Sequence, residues 1–218
     1  MYVDGGAQIQ LINTVITNNV ASQYGGGVFI NNGDVTLDGG QIISNTASNR
    51  SGGLDVFSGT ATLNSGFISY NNNTSGYGGG VGVSANAQFN LNGGQIAYNQ
   101  SWSGAGGGGI FVSGGRLVAN GGQINNNQTG LWGGGGVLVD SNGSATLSNT
   151  LITGNSSQNA GGVAVTNGSQ VTLDGATQIL SNTATSSFGG GLVVGGNSHL
   201  TLTGNVLAVC RRETLAPS

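Results

Sequence analysis

Residues 25–45 read GGGVFINNGDVTLDGGQIISN, and this stretch contains the segments that decide the fold. It begins with glycines before an apolar segment, continues through a second apolar segment, and ends on the motif Ile-x-x-Asn. The apolar segments are short, rich in β-branched side chains and bounded by Gly, Asn or Asp, which is the pattern of short β-strands. The stretch therefore predicts three short strands separated by turns.

The same segments recur along the chain at a nearly constant interval. An aliphatic residue follows the glycine run at Val28, Leu54, Val81, Ile110, Val137, Val163 and Leu192, with spacings of 26, 27, 29, 27, 26 and 29 residues. The Ile-x-x-Asn motif supplies a second series, the expected structural asparagine ladder, at Asn19, Asn45, Asn71, Asn99, Asn127, Asn155 and Asn182. Because two markers keep one register over seven copies, the chain is interpreted as a repeat protein.

One apolar face per repeat is buried only when the repeats stack on one another. Three strands in about 27 residues fit one coil of a right-handed parallel β-helix, since parallel crossovers are right-handed. We predict an all-β solenoid of about eight such coils over residues 1–209, incomplete at both ends, with an irregular tail at residues 210–218. Each ladder Asn is expected to take the left-handed backbone at a turn and to stack its amide on the next coil.

Composition excludes several classes of function. The chain has 218 residues, of which 45 are Gly, only 4 are basic and 7 are acidic, with a net charge of −3. No nucleic-acid partner is expected, because binding phosphates requires clustered Lys and Arg. No apolar run approaches the roughly 20 residues of a membrane span, and no signal peptide opens the chain. We expect a secreted or cell-surface protein whose export is directed by sequence outside this chain.

Aromatic residues mark the loop before the glycine run. The candidate binding residues are Tyr24, Tyr77, Trp132 and Phe188, immediately before that run in alternate coils, and Trp102 slightly upstream. Rings two coils apart would lie about 9.6 Å apart along one edge. They either cover the glycine surface of the next coil or form a stripe that stacks on sugars or a partner protein. Tyr70 and Tyr98 occupy matching places in adjacent coils and are expected to stack on each other.

The acidic residues do not suggest a catalytic pair. Glycoside hydrolysis needs two carboxylates at a defined separation, yet Asp38 and Asp174 take the same turn position in coils about 24 Å apart. The best acidic cluster is Asp34, Asp38 and Asp55, which no Arg or Lys is expected to match. Cys210 is interpreted as a buried structural thiol. We predict no enzymatic activity, no metal and no cofactor.

The two markers resemble the repeats of chlamydial polymorphic outer membrane proteins, in which GGA-[ILV] alternates with FxxN. GGGV at 25–28, GGGI at 107–110 and GGGL at 189–192 carry the first motif, with Gly in place of Ala, and Ile replaces Phe in the second. The repeats are also similar to those of autotransporter-type passengers. This resemblance covers residues 3–207 and implies secretion, surface display and adhesion, without catalytic residues.

Three functions are consistent with these observations. The first is a non-catalytic structural or adhesive surface module that presents loops to a host or neighbouring-cell surface protein or polysaccharide. The second is a carbohydrate-binding or polysaccharide-acting β-helix of the pectate-lyase-like superfamily, using the loop-edge aromatics. The third, ice or mineral binding, is disfavoured because Asn90 and Val118 interrupt a threonine column. Open strand edges on terminal coils also predict end-to-end self-association.

Overall fold

The computed structural model is an all-β parallel solenoid of about 7 turns. It describes residues 1–102, 106–130, 132–186 and 188–208, together with the strand Arg211–Arg212. Within these residues there is no helix, so none that could span a membrane. The parallel β-helix expected from the repeat is confirmed, with about 7 turns in place of about eight. Cys210, interpreted above as a structural thiol, lies outside the described residues.

Each turn contributes three main strands, which pair with their counterparts in the neighbouring turns. In the first turns the strands continue around the corners, as Tyr2–Ile12, Val28–Ile43 and Leu54–Ser69. The strands that follow the glycine run form the glycine stack, which continues through Val81–Ser84, Ile110–Ser113, Val137–Asp140, Val163–Val165 and Leu192–Val194. The next strands form the middle stack, which continues through Ala87–Leu91, Arg116–Ala119, Ser144–Ser148, Gln170–Asp174 and His199–Leu202.

The third stack ends at the ladder asparagines and is called the asparagine stack. Its separate strands are Val15–Thr17, Gln95–Ala97, Gln123–Asn125, Leu151–Thr153, Gln178–Leu180 and Leu207–Ala208. A fourth, short stack that the sequence did not predict consists of the two-residue strands Val20–Ala21, Thr46–Ala47, Asn72–Asn73, Gln100–Ser101, Gln128–Thr129, Ser156–Ser157, Thr183–Ala184 and Arg211–Arg212. The strand Arg211–Arg212 pairs with Thr183–Ala184 and so extends this stack into residues 210–218, which were expected to be irregular. Gly106–Gly107 and Gly133–Gly134 form a further small pair.

The register places like residues above one another. The aliphatic residues that follow the glycine runs form one interior column, Val28, Leu54, Val81, Ile110, Val137, Val163 and Leu192. Because side chains alternate along a strand, every second residue joins this column in a continuous apolar core. The stacking of repeats therefore buries a face that no repeat could bury alone.

The corner after the asparagine stack corrects one expectation. The left-handed backbone lies one residue before each ladder asparagine, at Asn18, Ser44, Tyr70, Tyr98, Asn126, Gly154 and Ser181, with φ between 52° and 67°. One residue of this conformation turns the chain, so that the following Asn side chain points into the interior. The ladder asparagines are selected for their amides and not for a left-handed backbone.

The ladder itself is a continuous chain of side-chain hydrogen bonds inside the solenoid. Asn99 Nδ2 donates to Asn127 Oδ1 at 3.0 Å and to the Ile68 carbonyl at 2.8 Å. Asn99 Oδ1 accepts from both the backbone N–H and Nδ2 of Asn71, each at 3.0 Å. The side-chain amides of Asn71, Asn99, Asn127 and Asn155 each make four such hydrogen bonds, including one to the carbonyl of the Ile-x-x-Asn isoleucine one coil earlier.

The glycine run packs directly against the asparagine ladder. A Cβ atom at Gly80 would lie 2.8 Å from Asn99 Nδ2 and 2.8 Å from the Gly109 carbonyl oxygen. A Cβ atom at Gly53, the matching glycine one turn earlier, would lie 2.8 Å from Asn71 Nδ2. Real Cβ atoms do not approach so closely, so a side chain here would displace the ladder. This contact explains why the two sequence markers keep one register.

Candidate functional site

The outward face of the glycine stack carries the candidate site. The middle residue of each strand points away from the core and forms the outward column Phe29, Asp55, Gly82, Phe111, Leu138, Ala164 and Val193. Loops carrying the predicted aromatics flank this column. Two clefts lie along it, one polar and one apolar, and Asp140 lines both.

The polar cleft has a volume of about 530 Å³, and Arg50, Ser51, Tyr77, Ser84, Phe111 and Asp140 are among its lining residues. Arg50 lies in the loop before the glycine strand, and its Nε atom is 3.1 Å from Asp55 Oδ2. Its guanidinium carbon also lies 5.2 Å from the centroid of the Phe57 ring and 6.0 Å from that of Tyr24. Two rings and a carboxylate therefore hold Arg50 in place.

Asp55 is fully buried beneath this cleft. Burial raises the pKa of Asp55 from 3.8 to about 6, and the charge of Arg50 opposes that rise. The expectation that Asp55 would join Asp34 and Asp38 without a basic partner is wrong on both counts. Asp55 lies in the glycine stack, whereas Asp34 and Asp38 flank a strand of the middle stack, and Arg50 pairs with Asp55.

Several buried polar atoms at this cleft lack partners. Ser51 Oγ, Ser84 Oγ and Asp55 Oδ1 accept or donate no hydrogen bond among the described residues. Gly82 lies over two of them, because a Cβ atom there would collide with Ser51 Oγ and lie 3.3 Å from Asp55 Oδ1. Ser51 Oγ therefore occupies the space that a side chain at position 82 would take.

The far edge of the polar cleft is also polar. Ser84, Ser113 and Asp140 stand on successive rungs of the glycine stack. The Asp140 carboxylate accepts hydrogen bonds from Thr166 Oγ1 at 2.8 Å and from Asn167 Nδ2 at 2.6 Å. These bonds fix an acidic acceptor where the two clefts meet.

The apolar cleft has a volume of about 440 Å³ and continues past Asp140. Leu138, Ala164 and Val193 of the outward column line it, and Trp132 and Phe188 form its aromatic walls. Trp132 is 61% exposed, so its ring is accessible to solvent. Leu138 and Ala164 belong to a small apolar cluster outside the main core.

The predicted aromatic stripe is divided between these clefts. Tyr24 stacks on Phe29 at 5.2 Å between ring centroids. Tyr77 stacks on Phe111 at 5.1 Å, and both tyrosines line the polar cleft. Trp102 is half exposed and lines neither cleft.

The expected pairing of Tyr70 with Tyr98 is confirmed. Their rings stack with 5.0 Å between centroids and an interplanar angle of 5°. This pair lies at the corner after the asparagine stack, away from both clefts. It packs the surface of two adjacent turns and adds nothing to the clefts.

The Arg50–Asp55 pair and the partnerless serines were missed by the sequence interpretation. A signal for Asp55 exists, because it is the acidic residue in a column otherwise made of Phe, Gly, Leu, Ala and Val. Ser51 and Ser84 carry no such signal, since burial without a partner arises only from packing. Among the described residues, no group of three or more His, Cys, Asp or Glu side chains could hold a metal ion.

No family model, curated protein or solved structure matches the chain significantly. The resemblance to the chlamydial repeats therefore stays a prediction from the motifs. The assignment of a parallel solenoid rests on the strand pairing described above.

Proposed function

We propose that this chain is a non-catalytic adhesive rod that binds an extended glycan along the outward face of its glycine stack. The observation that carries the proposal is the pair of aromatic-walled clefts in line on one face, joined at Asp140. Clefts with apolar walls and a few convergent polar groups are the usual form of binding sites. Their alignment suits a chain-like ligand better than a compact one.

The scaffold beneath the clefts supports a display role. The asparagine ladder and the continuous core link each turn to the next, so the outward column is held on a rigid base. Binding on a preorganised face loses less conformational entropy than binding on a mobile one. Export and cell-surface location belong to the same proposal, and low charge and the motif resemblance support them.

The spacing of the carboxylates favours binding over hydrolysis. Asp55 and the Asp140 strand are separated by three rungs of the glycine stack, which is about 14 Å. Inverting glycosidases place their two carboxyl groups roughly 6.5–9.5 Å apart, and retaining ones place them closer. The two acids at this face are therefore too far apart to act on one bond.

Intrinsic fluorescence tests the proposal. Trp132 lines the apolar cleft and Trp102 does not, so the Trp102→Phe variant reports the cleft alone. We expect a saturable change in Trp132 emission with one polymer from a panel of neutral and acidic polysaccharides. A flat response across the panel would contradict glycan binding. Release of reducing or unsaturated ends from any polymer would contradict the non-catalytic assignment.

A further inference from the structure

We infer that the polar cleft is a subsite for one neutral pyranose unit, which Arg50, Ser51 and Ser84 hold by hydrogen bonds against the ring of Tyr77. The inference rests on the proposed function, because it specifies the ligand class for one part of the same face. The apolar cleft beyond Asp140 would then receive the continuing chain.

The partnerless serines are the first argument. Ser51 and Ser84 are 1% and 7% exposed and line the cleft, yet their hydroxyls lack partners within the part of the chain that the structure describes. A buried polar atom without a hydrogen bond costs about 1–3 kcal/mol. A ligand that brings its own hydroxyl groups satisfies these atoms, and an apolar ligand leaves them unpaired.

Arg50 supplies the second argument. Its side chain is 24% exposed, and its Nε atom is engaged with Asp55. A guanidinium has five N–H donors, and among the described residues the terminal amino groups have no partner, so they remain for a ligand at the cleft. Because Phe57, Tyr24 and Asp55 hold the guanidinium, little side-chain entropy is lost on binding.

The aromatic wall sets the shape of the ligand. Tyr77 is 46% exposed and is fixed by stacking on Phe111. A pyranose has hydroxyls around its rim and C–H groups on its faces, and such a face packs on an aromatic ring. The volume of about 530 Å³ lies within the range of small-molecule sites.

The charge of the cleft selects a neutral sugar. One cation, Arg50, stands against two carboxylates, Asp55 below it and Asp140 at the edge. With both acids ionised the formal sum is −1, which repels a uronate, a sulfated sugar or a phosphate. A neutral unit meets no such repulsion and can donate hydroxyl hydrogens to the fixed Asp140 carboxylate.

Titration calorimetry of the 218-residue chain with four tetrasaccharides tests this subsite. The probes are tetrasaccharides of glucose, galactose, mannose and galacturonic acid, at pH 7.5. We expect saturable binding of one neutral tetrasaccharide and weaker binding of the galacturonate. Tyr77→Ala should weaken that binding about tenfold, and Ser84→Ala about fivefold.

A matched variant and a thermal unfolding curve separate binding from folding. Ser69 is a buried serine at the end of the asparagine stack, away from the cleft, and Ser69→Ala should leave affinity unchanged. If Trp132→Ala abolishes binding while Tyr77→Ala and Ser84→Ala do not, the subsite is refuted and the proposed function stands. Stronger binding of the galacturonate also refutes it. If no tetrasaccharide and no polysaccharide binds to the folded chain, both proposals are refuted.

Discussion

The polar and the apolar cleft lie on the same stack of strands, share Asp140 and differ in chemistry. The difference comes from the outward column, which carries Asp55 and Gly82 under one cleft and Leu138 and Ala164 under the other. The inward columns of the glycine stack are apolar throughout, because they form part of the core. The comparison teaches that a solenoid can change the chemistry of its surface from turn to turn without altering its interior.

The asparagine ladder runs with the same geometry through the turns that carry both clefts. Asn71 Nδ2 donates to Asn99 Oδ1 at 3.0 Å, and further along Asn127 Nδ2 donates to Asn155 Oδ1 at 3.0 Å. The support for the two halves of the face is therefore equal. Any difference in how they respond to mutation should originate in the outward column.

Replacing a ladder asparagine should have the largest effect on stability, and it tests whether the ladder supports the two halves of the face equally. Asn99→Ala and Asn155→Ala each remove four hydrogen bonds of the ladder amide, including those to the carbonyls of Ile68 and Ile124. Each variant should lose about 3–5 kcal/mol of unfolding free energy, because buried polar groups are left unpaired. Urea unfolding measures this loss.

The two losses should agree within about 1 kcal/mol. Asn19→Ala serves as a control, since Asn19 is exposed and should cost less. A much larger cost for Asn99 than for Asn155 would show that the two halves are supported differently.

The pH dependence of stability should distinguish the two clefts. The pKa of Asp55 is raised by burial from 3.8 to about 6, so the folded state binds this proton more tightly than the unfolded state. Stability from this proton is fully present below pH 3.8 and is lost as the pH rises through 6. A rise of about two units corresponds to a loss on the order of 3 kcal/mol.

Comparing the unfolding free energy of wild type with that of Asp55→Asn over pH 3.5–7 isolates the contribution of Asp55 protonation. We expect the unfolding free energy of wild type to fall relative to the variant as the pH rises. Leu138→Ala, in the apolar cleft, should lower stability by the same amount at every pH. Parallel curves for wild type and Asp55→Asn would contradict the assignment of the titration to Asp55.

The smallest effect is expected at the aromatic wall of the apolar cleft. Trp132→Ala should change the unfolding free energy by no more than about 0.5 kcal/mol, because the ring is mostly exposed. The same change should reduce the fluorescence of an added apolar dye such as ANS, whereas Tyr24→Ala in the polar cleft should not. Equal dye binding in both variants would remove the distinction between the clefts.

The interior of this molecule could be predicted from the sequence, and its outer face only in part. Val28 and its equivalents were placed correctly, because a strand alternates and a repeat multiplies the signal. The residue with the left-handed backbone was predicted one position too late, at the ladder asparagine, because Asn is common at such turns. The asparagine is needed instead for the amide that forms the ladder. The division of the aromatics into two clefts depends on Phe29 and Phe111, which lie on different strands from the rings they contact.

The Arg50–Asp55 pair shows why the rest could not be predicted. The two residues are close in sequence and lie on either side of Gly52 and Gly53. Whether Arg50 then reaches Asp55 or solvent depends on the positions of Tyr24 and Phe57. Side-chain placement of this kind is decided by three-dimensional packing, which a repeat pattern does not contain.

The asparagine ladder also gives the solenoid an electrical direction. From Asn19 to Asn182, six hydrogen bonds join the seven amides, and in each of them Nδ2 of one turn donates to Oδ1 of the next. The amide dipoles therefore align head to tail along the axis, as peptide dipoles do in an α-helix. Rotating one amide alone would bring Oδ1 against Oδ1 on one side and Nδ2 against Nδ2 on the other. All seven amides are consequently locked in one common orientation, and a buried row of small dipoles acts as a single polar axis.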